Sequence, residues 1–199
     1  MMARCPFCDA ELGPGEDPAG CLTCQGRSLR TNPDWAVAML EEVSGPIAVW
    51  DVRRLLGQAG KHVGPGSLQV WLSADYRTCW AGPSIYGLYR HGLLPGVRDM
   101  GSAAVVYLAA ADSVLTQDEI YFVLRHVGYR VQSTSMYLAL RRMADFGLID
   151  YGYEGWTWAG KPLAPIVGLE DFPDEVDAVF QRAVAQVSMA LEERERRLD

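Results

Sequence analysis

Long hydrophobic runs are missing from this chain. The longest, Ala103 to Ala111, is half of the roughly eighteen residues that a membrane-spanning helix requires. Nothing at the N-terminus resembles a signal peptide, because Met1-Met2-Ala3-Arg4 runs into Cys5 without an apolar segment. A cytoplasmic location with no membrane partner is expected. Lysine is scarce, standing only at Lys61 and Lys161, and the net charge of −7 does not suit a nonspecific nucleic-acid binder. The excess acid is unevenly spread: −1 over residues 1–30, 0 over 31–100, −2 over 101–160 and −4 over 161–199. The middle of the chain therefore retains enough cations for a basic face. Catalytic motifs are also missing. There is no paired-carboxylate motif, no His-x-x-x-His and no Gly-x-Ser-x-Gly. His62, His91 and His126 stand far apart, each without a nearby acidic or nucleophilic partner in sequence. The glycines of Gly57 to Gly66 lack the Gly-Lys-Ser/Thr of a phosphate loop. No enzyme is expected.

What the chain does have is two cysteine pairs, Cys5-Pro6-Phe7-Cys8 and Cys21-Leu22-Thr23-Cys24, separated by twelve residues. Each Cys-x2-Cys turn folds two sulfurs toward one point, and the intervening loop brings the pairs together. A closed tetrahedral site of four thiolates favours zinc in a structural role, and iron in a rubredoxin-like tetrathiolate has the same ligand set. Disulfides would suit an oxidising compartment, which the missing leader argues against. Cys79 has no partner at ligand spacing and is expected to be a buried apolar residue beside Trp80.

After the ribbon, Thr31 or Asn32 caps a helix with Pro33 in its first turn and Trp35, Val37, Met39-Leu40 and Val43 as its apolar stripe. Ser44-Gly45-Pro46 stops it. A second helix carries Val49, Val52 and Leu55-Leu56 inward, and a short third one starts at Ser67. Two β-prone runs follow, Tyr76 to Trp80 and Ser84 to Arg90, around Ala81-Gly82-Pro83. The same order then recurs. Ser102 to Ala111 reads as a helix, and Thr116-Gln117-Asp118-Glu119 as a capping box opening another. Ser133 caps a third, with Met136, Tyr137, Leu140, Met143 and Phe146, which Gly147 ends. Leu148 to Tyr153 and Trp156 to Trp158 close as strands about Glu154-Gly155. Trp156 and Trp158 share one side of a strand, where they either cover the core or form a sticky surface. Helix, helix, helix, hairpin appears twice, a duplication of architecture rather than of sequence.

The stretch Met143-Ala144-Asp145-Phe146-Gly147-Leu148-Ile149 is similar to the end of the third helix of a winged helix-turn-helix domain as it enters the wing. Residues 101–160 resemble such a domain. Residues 34–92 resemble a more divergent one, and Gly82-Pro83-Ser84-Ile85-Tyr86-Gly87-Leu88-Tyr89 is similar to the wing of the HARE-type helix-turn-helix family. The resemblance implies a mainly α fold with small β wings: a four-cysteine zinc ribbon over 1–30, winged helices over 31–100 and 101–160, and a linker and long helix over 161–199. It also implies binding to double-stranded DNA, with the third helix of each unit in the major groove. In the second unit that places Gln132, Ser133, Thr134, Ser135 and Tyr137 at base edges or phosphates, with Arg130 and Arg141 or Arg142 at phosphates. In the first unit the corresponding face takes in Lys61, His62, Ser67, Gln69 and a wing residue, Arg77. Small hydroxyls and amides there allow close approach to DNA, although an arginine pair on a helix is also an ordinary solvated face.

The tail is a separate element. Gly160 to Gly168 with Pro162 and Pro165 reads as a linker or packed strap. From Pro173 a long helix carries Val176, Phe180, Ala183, Val187 and Ala190 as a seam, with acidic residues in its first turn and arginines in its last. That seam packs on a winged unit or, slightly preferred, pairs with its copy in a homodimer. Two functions are carried forward. One is a sequence-specific DNA-binding transcriptional regulator. The other is a non-enzymatic adaptor docking on a larger protein complex, such as RNA polymerase or a nuclease, which the acidic pI near 5.0 favours.

Overall fold

The computed structural model describes residues 32–75 and 77–198. The expected ribbon, with Cys5, Cys8, Cys21 and Cys24, lies outside the described residues. These are mainly helical, with two small antiparallel sheets and a long C-terminal helix. No helix among them is long and apolar enough to cross a membrane.

Helix α1 spans Asn32–Glu41 and buries Ala36, Val37 and Leu40, a spacing of one, three and four residues that keeps them on one face. Strand β1 is only Ile47–Ala48 and runs directly into α2, Val49–Gln58, whose Val49, Val52 and Leu56 are buried. Helix α3 is Pro65–Ala74, two residues longer at its start than Ser67 would give. The reason is Pro65 itself: its fixed φ suits the first helical turn, where a missing N–H costs nothing. Strands β2, Thr78–Gly82, and β3, Ile85–Leu88, form a hairpin whose turn is Pro83-Ser84, with Ser84 in the left-handed region at φ 54. The sheet order is β1-β3-β2, all antiparallel.

A single-turn 3-10 helix at Tyr89–His91 leads toward α4, Met100–Ala111. This helix starts before Ser102, because Asp99 caps it by accepting from the Gly101 and Ser102 amides at 2.8 and 3.0 Å. Ala103 to Ala109 are buried on every side of it, as a central helix requires. Helix α5, Gln117–His126, opens with the expected box: Glu119 N–H donates to Thr116 Oγ1 at 3.3 Å, and Thr116 N–H donates to Glu119 Oε2 at 2.8 Å. Helix α6 is Ser133–Asp145, so Ser133 is its first helical residue rather than its cap. Gln132 occupies the cap position and makes no side-chain capping bond. Strands β4, Ile149–Tyr151, and β5, Trp156–Trp158, pair as a hairpin, and Leu115 bridges to Trp156 on the other side of β5. The Leu115 and Trp156 amides exchange bonds of 2.9 and 2.8 Å. Gly155 permits that approach, since a Cβ there would lie 2.5 Å from the Leu115 carbonyl oxygen. Helix, bridging residue, helix, helix, hairpin therefore occurs twice, with the bridging strand on the same side of the hairpin each time.

The two copies are joined rather than merely consecutive. One apolar cluster lies wholly in residues 36–88, while the other collects Cys79, Ala81, Leu93, Leu94 and Val97 together with α4, α5, α6 and the tail. Trp80 touches both, 6.0 Å from the buried ring of Tyr129. The Arg130 amide donates to the Ala81 carbonyl, and a Cβ on Gly82 would lie 2.6 Å from the Arg130 oxygen. The first hairpin's tip is thereby seated on the α5–α6 turn.

Part of the strap forms α7, Ala164–Val167, with Val167 buried. Helix α8, Pro173–Leu198, lays Val179, Ala183, Gln186, Val187 and Ala190 against α4 and α5 of the same chain. The seam is occupied internally. Two polar residues fix its register. Tyr107 Oη donates to Gln186 Oε1 at 2.7 Å, while Gln186 Nε2 donates to the Gly92 carbonyl. Arg182 donates to the Tyr89 carbonyl at 2.9 Å and stacks on that ring at 3.7 Å. The long helix thus grips the segment that joins the two units.

Candidate nucleic-acid interface

Helix α6 turns Met136, Leu140 and Met143 inward, a spacing of four and three residues. The opposite face is then fixed by geometry: Ser133, Thr134, Ser135, Tyr137, Leu138, Arg141, Arg142 and Asp145 all meet solvent. Gln132 and the Arg130 side chain are exposed just ahead of it. The residues expected from sequence in the second unit thus stand together along one helix face and its lead-in. No acidic residue occurs in the first turn of α6, where Asp or Glu would repel an approaching phosphate.

The β4–β5 hairpin is chemically different from the helix. Tyr151 lies tilted against Trp156 at 4.6 Å, and Tyr137 meets the same indole edge-on at 6.4 Å, so the hairpin is pinned to α6 by aromatic contact. Trp156 itself is 2% exposed and Trp158 is half-buried against the core, which selects the core reading for both. Asp150 and Glu154 are exposed on this hairpin, and Tyr153 projects fully into water. Leu138, 70% exposed between Tyr137 and Arg141, had no signal in the sequence, since the apolar stripe of α6 is complete without it.

The first unit gives a weaker array. Ser67 and Gln69 are exposed on α3, yet that helix contains no charged residue and presents Gly66, Val70 and Ala74 beside them. Lys61 lies over the Trp35 ring at 5.0 Å, and His62 is exposed. Both border a small cleft where Arg53 Nε donates to the Val63 carbonyl at 3.0 Å. Arg77 stands just before β2, at the base of the hairpin, and its guanidinium pairs with Asp75 at 2.6 Å and with Asp34 at 2.9 Å. The hydrogen bond that Arg77 donates to Asp75 leads in raising the arginine's pKa. Burial works to raise Asp75, but the bonds from Arg77 prevail and hold its carboxyl below the usual range. Arg77 thus ties α1 to the lead-in of β2.

Among the described residues no three His, Cys, Asp or Glu side chains converge as a metal site. Cys79 is fully buried, and desolvation pushes its thiol up to about 12. His91 Nδ1 accepts from the Leu88 amide at 3.1 Å.

Comparison with protein-family models, with curated proteins and with solved structures yields no match to this chain.

Proposed function

We propose that the chain is a sequence-specific DNA-binding transcriptional regulator made of two winged-helix units, with α6 as the helix that enters the major groove. It acts by binding, without catalysis. The observation that carries this reading is the face of α6. Three consecutive exposed hydroxyl residues open the helix, cations at Arg130, Arg141 and Arg142 flank them, and its first carboxylate is at its last residue, Asp145. Hydroxyls and an amide can hydrogen-bond base edges and phosphates, and the arginines can neutralise backbone charge. The acidic wing confines the contact to the helix and its lead-in. Selection from a random duplex library tests the claim. Enrichment of a defined motif is the expected result, and an unenriched pool would count against sequence recognition.

The adaptor reading has one observation of its own. Helix α3 is uncharged, and Val70 on it and Trp50 on α2 are 65% and 60% exposed. Exposed apolar side chains of this size suit a protein surface better than phosphates. Stable recovery of a partner protein through Trp50 and Val70, with no duplex affinity, would favour it.

We also propose that Cys5, Cys8, Cys21 and Cys24 hold one structural zinc ion, because four thiols in two Cys-x2-Cys turns match the closed tetrahedral donor set. Elemental analysis of the purified chain distinguishes zinc from iron.

A further inference from the structure

We propose that the groove between the first hairpin, α6 and the strap binds an amphipathic carboxylate, an apolar body carrying a single acid group. The groove has a volume of about 610 Å³. That is within the ~300–1,000 Å³ typical of small-molecule sites. Four separate parts of the fold build it: Trp80 from the first unit, Asp99 and Met100 at the start of α4, Met143 and Phe146 from α6, and Ile166 from α7. Junctions of this kind are preferred ligand positions, because no single element can fill them.

The polar groups decide the ligand. Asp99 lines the groove, but its carboxylate already accepts from the Gly101 amide at 2.8 Å, the Ser102 amide at 3.0 Å and the Ser102 hydroxyl at 3.0 Å. It caps α4 and keeps its negative charge, which the amides at the helix start offset locally. Arg142 is the other charge. Its guanidinium lies over the Phe146 ring at 5.5 Å and has no carboxylate partner among the described residues. The groove therefore offers apolar walls, a capped carboxylate at the start of α4 and, at its α6 edge, one cation with no carboxylate partner among the described residues. A bare phosphate or a sugar would leave the walls wet, and a plain hydrocarbon would leave the arginine unmatched. An acid on an apolar body satisfies both.

A regulatory consequence follows, and it rests on the DNA-binding reading. Arg142 belongs to the exposed face of α6 as well as to the groove, so a bound carboxylate would take one cation away from the DNA backbone. Occupancy should lower duplex affinity.

The test measures ligand alone, so that its failure is separable from that of DNA binding. Calorimetric titration of the full chain with octanoate and with 1-octanol should give one saturable octanoate site. The acid should bind at least ~10-fold tighter than the alcohol, since a charged hydrogen bond is at stake. Arg142→Gln should bring octanoate down to the level of octanol. Ala139→Phe, which fills the groove from α6, should abolish both, with the ligand-free melting temperature showing that each variant is folded. Absence of saturable octanoate binding, equal binding of acid and alcohol, or two folded variants that bind like the parent would each overturn the proposal. Duplex affinity is measured independently and bears only on the DNA reading.

Discussion

Replacing Gln186 by leucine should be among the most damaging single changes in the tail, although it swaps a polar residue for an apolar one in a helix seam. Gln186 is 7% exposed, and both ends of its amide are in use. Its oxygen accepts from Tyr107, a fully buried side chain, at 2.7 Å, and its nitrogen serves the Gly92 carbonyl between the units. The leucine variant takes the amide acceptor away from a buried hydroxyl and strands a part-buried carbonyl. Each unsatisfied group costs about 1–3 kcal/mol, partly offset by added apolar burial, so a net loss of about 2–4 kcal/mol is expected. For a chain of this size that lowers Tm by roughly 5–15 °C. Urea unfolding with the m-value monitored is the assay, because an unchanged m locates the effect in the native state. Tyr107→Phe leaves the amide oxygen without its donor and should cost less, about 1–2 kcal/mol. The double variant should fall short of the sum by about 1 kcal/mol, the coupling of groups that share one bond. A leucine variant within ~0.5 kcal/mol of the parent would refute the reasoning, as would strict additivity, since either lies outside what a shared buried bond allows.

Three further outcomes are expected. Gly82→Val drives a branched side chain into the Arg130 carbonyl, where even a Cβ would lie 2.6 Å away; it should cost about 1–3 kcal/mol, read as a lowered urea midpoint. His91 is held below the ordinary histidine range by burial and by Arg90, and its Nδ1 must stay unprotonated to accept from Leu88. Its contribution is therefore present above the unfolded histidine value of about 6.5 and lost as pH falls through the lower folded value. The drop in urea midpoint between neutral and mildly acidic buffer should be smaller in His91→Gln than in the parent. Cys79, with its thiol raised to about 12, should stay unlabelled by iodoacetamide at neutral pH until the chain unfolds, as peptide mapping would show.

Local features were the legible ones. The Thr116–Glu119 box, the Met136-Leu140-Met143 stripe and the start of α8 at Pro173 are written in neighbouring residues, so short-range chemistry alone fixes them. Helix starts were displaced where the decisive residue stood outside the apolar pattern, as with Pro65 and Asp99. The seat of the first hairpin on Arg130 was invisible, because it rests on backbone groups and on the missing side chain of Gly82, neither of which has a period. The seam of α8 was readable but its destination was not: an apolar stripe specifies burial, and only the fit of Gln186 between Tyr107 and Gly92 specifies against what. For the candidate interface, the polar and cationic residue types of α6 are visible in the sequence, while one of the two ion pairs that occupy Arg77 depends on Asp34, distant in sequence.

The most direct test of the central claim is the salt dependence of duplex binding by the parent and by Arg141→Glu/Arg142→Glu. With two phosphate contacts at α6, the slope of log K against log[salt] should become shallower by about 1.8 in the variant, with Tm unchanged. Equal slopes and equal affinities would contradict the account, because α6 would then lie away from the DNA.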